Sequence, residues 1–76
     1  GGISENDIKT FVTATTVSFN WRMMIKEFSV SLFLNGTSQI IKRPSGFFVW
    51  KNLTPANIYT FKFLFEQLNP TFVNVS

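Results

Sequence analysis

Three asparagines have the spacing that accepts N-linked carbohydrate, and this is the clearest chemistry in the sequence. Asn-x-Ser/Thr sequons begin at Asn35, Asn52 and Asn74, and such a pattern marks a surface position in a secreted protein. Asn35 falls in a predicted turn and Asn52 at a predicted corner, where carbohydrate would be free to project. The alternative for each is an ordinary turn asparagine, because this residue type is common in turns.

Most side chains that build catalytic and metal sites are missing. The sequence contains no Cys and no His, which removes disulfides, a thiolate nucleophile, the usual general base and the commonest metal ligands. Its only carboxylates are Glu5, Asp7, Glu27 and Glu66. Two of them lie near the N-terminus, where chains often fray. We therefore expect no enzymatic activity, no cofactor and no metal in this chain.

The seven cations are scattered, although the net charge is +3 and the pI is about 9.7. A nucleic-acid-binding domain more often concentrates its cations in a stripe, so we expect no nucleic-acid partner. Lys42 and Arg43, with Lys51 nearby, could make a weak glycosaminoglycan contact. Two adjacent cations are more often a solvated turn, and that alternative stays open.

Length and composition indicate one small, folded domain. The chain has 76 residues, of which 45% are hydrophobic and only 14% are charged, a balance that weighs against intrinsic disorder. No apolar run approaches the roughly 18 residues of a membrane-spanning helix, and no signal-peptide pattern is present. We expect no direct membrane insertion.

Apolar residues recur with a period of two, which is typical of half-buried strands. The clearest alternating runs are Val17–Trp21, Phe28–Leu34 and Tyr59–Phe65. Shorter strands are predicted at Ile8–Thr13, Phe47–Trp50 and Phe72–Val75. Turn signals separate them, notably the Asn-Gly pair at 35–36, which favours a two-residue hairpin. Six or seven short strands at this spacing predict an all-β sandwich or a small barrel, with residues 1–7 as a tail or linker.

The segment from Leu53 to Phe63 carries a more specific pattern. Its Leu-x-Pro-x-x-x-Tyr-x-Phe string, with Pro55 and Tyr59, resembles the corner between strands E and F of fibronectin type III domains. In such a tyrosine corner the hydroxyl bonds to backbone a few residues upstream.

Three other segments extend the resemblance over most of the chain. Trp21 matches the core tryptophan of strand B, and the run 28–36 resembles strand C and its turn. Phe48 and Trp50 match the two inward positions of strand E.

The resemblance implies an immunoglobulin-like antiparallel β-sandwich of seven strands, with fibronectin type III topology over residues 8–76. The implied core residues are Trp21, Leu53, Pro55, Tyr59, Phe61 and Phe63. Similar domains recur in ectodomains of cell-surface receptors, including receptor tyrosine phosphatases, and in adhesion proteins. The implied function is a non-catalytic extracellular interaction module that binds a protein ligand or neighbouring fibronectin type III domains.

Four apolar residues fall on predicted outer faces and form the candidate partner surface. They are Phe33, Phe47, Val49 and Leu64. A contiguous cluster would indicate a partner, whereas a bulge or twist could bury these residues instead. The functional alternatives are a passive spacer in a tandem array, a nucleic-acid-binding β-barrel with exposed aromatics for stacking, and an intracellular scaffold domain.

Overall fold

The computed structural model describes residues 4–22, 29–42, 45–66 and 69–76. Phe28, predicted to begin a strand, lies outside the described residues, as do Arg43 and Pro44. A short 3-10 turn at Glu5–Asp7 precedes the first strand. It lies within the segment that we expected to be a tail or linker.

Seven strands make up the described fold, and the prediction of an all-β chain is confirmed. They are β1 Lys9–Val12, β2 Val17–Asn20, β3 Val30–Leu34, β4 Thr37–Ile41, β5 Phe47–Trp50, β6 Tyr59–Phe65 and β7 Thr71–Val75. Runs rich in β-branched and aromatic residues suit the pleated, half-buried surface of a sheet. β4 is the return strand of the hairpin whose turn is Asn35 and Gly36, both with positive φ.

The strands form two separate antiparallel sheets rather than one closed barrel. One sheet has three strands in the order β1-β2-β5, and the other has four in the order β4-β3-β6-β7. Because β5 pairs with β2 and β6 pairs with β3, the chain crosses between the sheets three times. The arrangement is sandwich-like, with one face of each sheet turned toward the other.

An aromatic core fills the space between the sheets. The Phe19 ring of the three-stranded sheet contacts Phe61 and Phe63 of the four-stranded sheet, with centroid separations of 4.9 and 4.8 Å. Trp21 packs edge-on against Phe63 and Phe65, at 5.6 and 5.9 Å. These five side chains are almost completely buried, and edge-to-face pairs of this kind add stabilisation beyond the burial of area.

The implied core residues do not all lie inside. Leu53 and Tyr59 are half-buried and pack against the core from its rim. Pro55 is exposed, so its assignment to the core is wrong. It lies in a turn in which the next residue, Ala56, has a φ of 63°. Proline fits such a turn because its ring fixes the backbone angle that the turn needs, and this role requires no burial.

Candidate functional site

The outer face of the three-stranded sheet carries a row of apolar side chains. Val17 and Phe19 of β2 point inward, so their neighbour Ser18 points outward. Strand pairing puts Phe11 on one side of Ser18 and Val49 on the other. The two apolar residues therefore flank a small side chain across the centre of the sheet.

The adjacent row on this face contains Phe47. Asn20 lies at its centre, with Lys9 on one side and Phe47 on the other. Phe11 is 69% exposed and Phe47 is 41% exposed, whereas Val49 is half-buried. We call the outer surface of β1, β2 and β5 the Phe47 face. Among the paired strand residues described on this face, Lys9 is the only charged one.

The other two candidate partner residues lie on the opposite side of the molecule. Phe33 and Leu64 are on the outer face of the four-stranded sheet, where Phe33 is opposite Lys62. The Lys62 ammonium lies 4.5 Å from the Phe33 ring centroid, so a cation already covers part of that ring. The four predicted residues therefore do not form one surface, because β3 and β6 belong to a different sheet from β5.

Sequence reasoning missed three exposed apolar residues on these outer faces. They are Phe11 on the Phe47 face, and Ile40 and Phe72 on the four-stranded sheet. Ile40 is 70% exposed and Phe72 is 55% exposed. Alternation within β7, where Thr71 and Val73 point inward, was a usable signal for Phe72. The sequence of β1 offers no such signal, because Lys-Thr-Phe-Val does not alternate between apolar and polar residues.

The Tyr59 hydroxyl makes the hydrogen bonds of a tyrosine corner. The backbone N–H of Thr54 donates to it at 2.9 Å, and the hydroxyl in turn lies 3.4 Å from the Thr54 carbonyl oxygen, to which it donates. The neighbouring Leu53 N–H donates to the carbonyl of Thr15 at 2.9 Å. The start of β6 and the 13–16 loop are thus both attached to the loop after β5.

This corner changes the acidity of the only tyrosine in the chain. The Thr54 N–H stabilises the phenolate and lowers the pKa of Tyr59 below its ordinary value of 10.0, and the Asn57 side chain acts in the same direction. These hydrogen bonds to the phenolate therefore stabilise the folded chain at pH values above the unfolded pKa of Tyr59. Their contribution is lost as the pH falls through the folded pKa. We expect phenolate absorbance to titrate at lower pH in the folded chain than in denaturing urea. Coincident midpoints would contradict this, and Tyr59→Phe should abolish the signal.

All three sequon asparagines lie at one end of the molecule, which we call the sequon pole. Asn35 and Asn52 are exposed and have φ angles of 49° and 63°. Asn35 comes directly after β3, and one residue separates Asn52 from the end of β5. Asn74 is exposed near the end of β7, and its Oδ1 accepts a hydrogen bond from the Thr60 hydroxyl at 2.8 Å.

Two of the three cations grouped in the sequence analysis, Lys42 and Lys51, lie at opposite ends of the molecule, and the third, Arg43, is outside the described residues. Lys42 follows β4 at the end of the molecule away from the sequon pole, whereas Lys51 lies at the sequon pole beside Thr37. The strand β4 separates them, because Thr37 is its first residue and Ile41 its last. Lys51 is therefore not beside Lys42, and the glycosaminoglycan contact stays a prediction.

The described residues contain no assembled chemical centre. No three carboxylates lie close enough together among them to hold a metal ion. A cleft of about 230 Å³ opens at the sequon pole, between the 13–16 loop and Tyr59, and its lining has no charged side chain. Within the same ranges, no helix has the length and apolar character needed to cross a membrane.

Comparison with known proteins gave no match to a protein-family model, to a curated protein or to a solved structure. Function is therefore inferred from the exposed faces, the sequons and the strand arrangement of this chain.

Proposed function

We propose that this chain is a non-catalytic protein-interaction domain of the fibronectin type III kind, in the extracellular part of a cell-surface receptor or adhesion protein. Antiparallel sheets of three and four strands support this proposal, since such sheets pack in sandwich domains of that kind. The Tyr59 hydroxyl on the backbone of Thr54 supports it further. The three sequons favour an extracellular location over an intracellular scaffold.

The observation that carries the interaction role is the Phe47 face. Phe11 and Phe47 lie exposed on adjacent rows of one sheet, and leaving apolar area in water costs about 25 cal/mol per Å². Burying them against a partner recovers that free energy. Lys9 is exposed on the same face, where the paired strand residues include no carboxylate. The complementary partner is therefore a protein surface with an apolar centre and a carboxylate at its edge.

Binding to purified ectodomains tests this proposal. The chain is presented as a multivalent probe to a panel of such ectodomains, and each positive is then measured with Phe11→Ser and Phe47→Ser. We expect each substitution to weaken binding at least about tenfold, as is typical of an aromatic residue at the centre of an interface.

The matched control is Ile58→Ser. Ile58 is 78% exposed, more than either phenylalanine, but lies in the loop before β6 and away from the Phe47 face. We expect this variant to bind normally. Binding that survives both phenylalanine substitutions, or a panel without any positive, would overturn the interaction role and favour the structural spacer.

A further inference from the structure

Each sequon has an aromatic residue two positions before its asparagine. The three residues are Phe33, Trp50 and Phe72, and they precede Asn35, Asn52 and Asn74. Aromatic residues make up 17% of the chain, so composition alone would place one there in about one sequon of six. The repeated coincidence suggests that the aromatic rings and the sequons act together.

The geometry is clearest on β7. Phe72 and Asn74 both belong to this strand, and residues two apart point to the same face, about 7 Å from each other. Phe72 is 55% exposed. The Thr60 hydroxyl donates to Oδ1 of Asn74, which holds the carboxamide by the atom that carbohydrate does not use. Nδ2, to which a glycan attaches, has no hydrogen-bond partner within the described residues.

A sugar on Asn74 would have a suitable surface beside it. One face of a pyranose ring presents C–H groups, and the face of an aromatic ring carries partial negative charge. Stacking the two removes apolar area of both from water. The exposed ring of Phe72 lies on the same face of the sheet as the attachment point, two residues along the strand. Lys62 of β6 is paired with Phe72 across the strands, but its ammonium lies over the Phe33 ring.

The Trp50 and Asn52 pair has a related arrangement. Both residues line a shallow depression of about 300 Å³ at the sequon pole, together with Thr37 and Gln39. Trp50 is half-buried against Phe48 and Phe61, so only part of its ring is available. The Phe33 ring is partly covered by Lys62. Among the three pairs, Phe72 therefore offers the most complete stacking surface.

We propose that Asn74 is an N-glycosylation site whose first sugar stacks on Phe72, and that the sequon pole is covered by carbohydrate. This inference rests on the proposed extracellular function, because the modification takes place in the secretory pathway. In the transfer, Nδ2 loses one proton and bonds to C1 of the sugar. The C1–O bond to a lipid pyrophosphate breaks, and the pyrophosphate leaves with the electron pair.

This inference also separates the roles of the two outer faces. Carbohydrate at Asn74 covers Phe72 on the four-stranded sheet, on the side of the molecule opposite the Phe47 face. The exposed aromatic ring on β7 is then a support for the glycan, and protein binding belongs to the three-stranded sheet.

The test is a thermal-stability cycle on the full chain secreted from cultured animal cells behind a cleavable leader. Glycopeptide mass spectrometry measures occupancy at Asn74, and glycans are trimmed to the first N-acetylglucosamine. Ser76→Ala removes the sequon without touching the asparagine, and Ser76→Thr retains it as a control. Loss of the sugar is expected to lower Tm by about 3–6 °C when Phe72 is present.

In the Phe72→Ala background the same loss is expected to change Tm by less than about 1 °C. Phe11→Ala, an equivalent change on the other sheet, should leave the full effect of the sugar in place. If Phe72→Ala does not fold, ring-current shifts of the N-acetylglucosamine protons in the unsubstituted chain measure the stacking directly.

An unoccupied Asn74 in the secreted chain would overturn the proposal, as would equal Tm losses in the two backgrounds or unshifted sugar protons. The native protein supplies a separate outcome. If Asn74 is occupied in the secreted chain but unmodified in its native source, the extracellular function fails, while the stacking site itself stands.

Discussion

Phe63→Ala is expected to lower the free energy of unfolding by about 3–5 kcal/mol, the usual cost of removing a buried phenylalanine ring. Phe63 is completely buried, and its ring contacts Phe19, Trp21 and Phe65 at centroid separations of 4.8, 5.6 and 5.9 Å. Its loss removes one ring from four aromatic side chains that come from both sheets. A domain of this size has only about 4–11 kcal/mol of stability, so the substitution should remove about a quarter of that stability or more.

Urea denaturation monitored by tryptophan fluorescence measures this effect. Phe11→Ala provides the matched comparison, since the chemical change is the same but Phe11 is 69% exposed. We expect its midpoint to stay close to that of the unsubstituted chain, because surface changes away from special features are usually small. Similar midpoints for the two variants would show that the ring cluster is not the main source of stability.

Gly46→Ala is expected to destabilise the chain by about 2–3 kcal/mol, which is in the upper part of the range for overpacking. A Cβ at this position would lie 2.7 Å from the backbone N of Arg22 and closer still to its Cα. The obstacle is backbone, so it cannot be relieved by rotating a side chain. The Gly46 carbonyl also accepts a hydrogen bond from the Trp21 N–H at 2.8 Å, which any backbone shift would lengthen.

Gly36→Ala separates steric crowding from backbone strain. Gly36 has a φ of 81°, and an added Cβ would have no neighbour within 4 Å. Its substitution should therefore cost only about 1 kcal/mol, the penalty for a left-handed alanine. A larger loss of stability for Gly36→Ala than for Gly46→Ala, measured by urea denaturation, would contradict the role assigned to the Arg22 contact.

The sequence predicted where the strands lie better than it predicted which strands pair with each other. Alternation identified β2, β3 and β6, because a period of two follows from the strand itself. Alternation does not say which strand pairs with which, so by itself it cannot assign Phe33 and Phe47 to different sheets. That information lies in strand register, which depends on contacts between distant segments.

Local patterns were informative only where the controlling contacts are also local. The tyrosine corner is one such case, since the Tyr59 hydroxyl reaches only five residues upstream to Thr54. Gly46 is the opposite case. The contact that requires glycine there is with Arg22, on a distant segment of the chain. The exposed position of Pro55 shows the same limit, since a motif position does not specify burial.

Because the chain crosses between the sheets three times, the crossings limit the order in which the strands can pair during folding. Phe19 pairs with Phe48 about thirty positions later, so the three-stranded sheet cannot be completed until the β3–β4 hairpin has been synthesised. Among the described strands, no contiguous half of the chain contains a finished sheet. Folding dominated by such distant pairings is slow, on the order of milliseconds to seconds. We therefore expect both sheets to form in a single cooperative step, without a half-folded species that exposes the aromatic core.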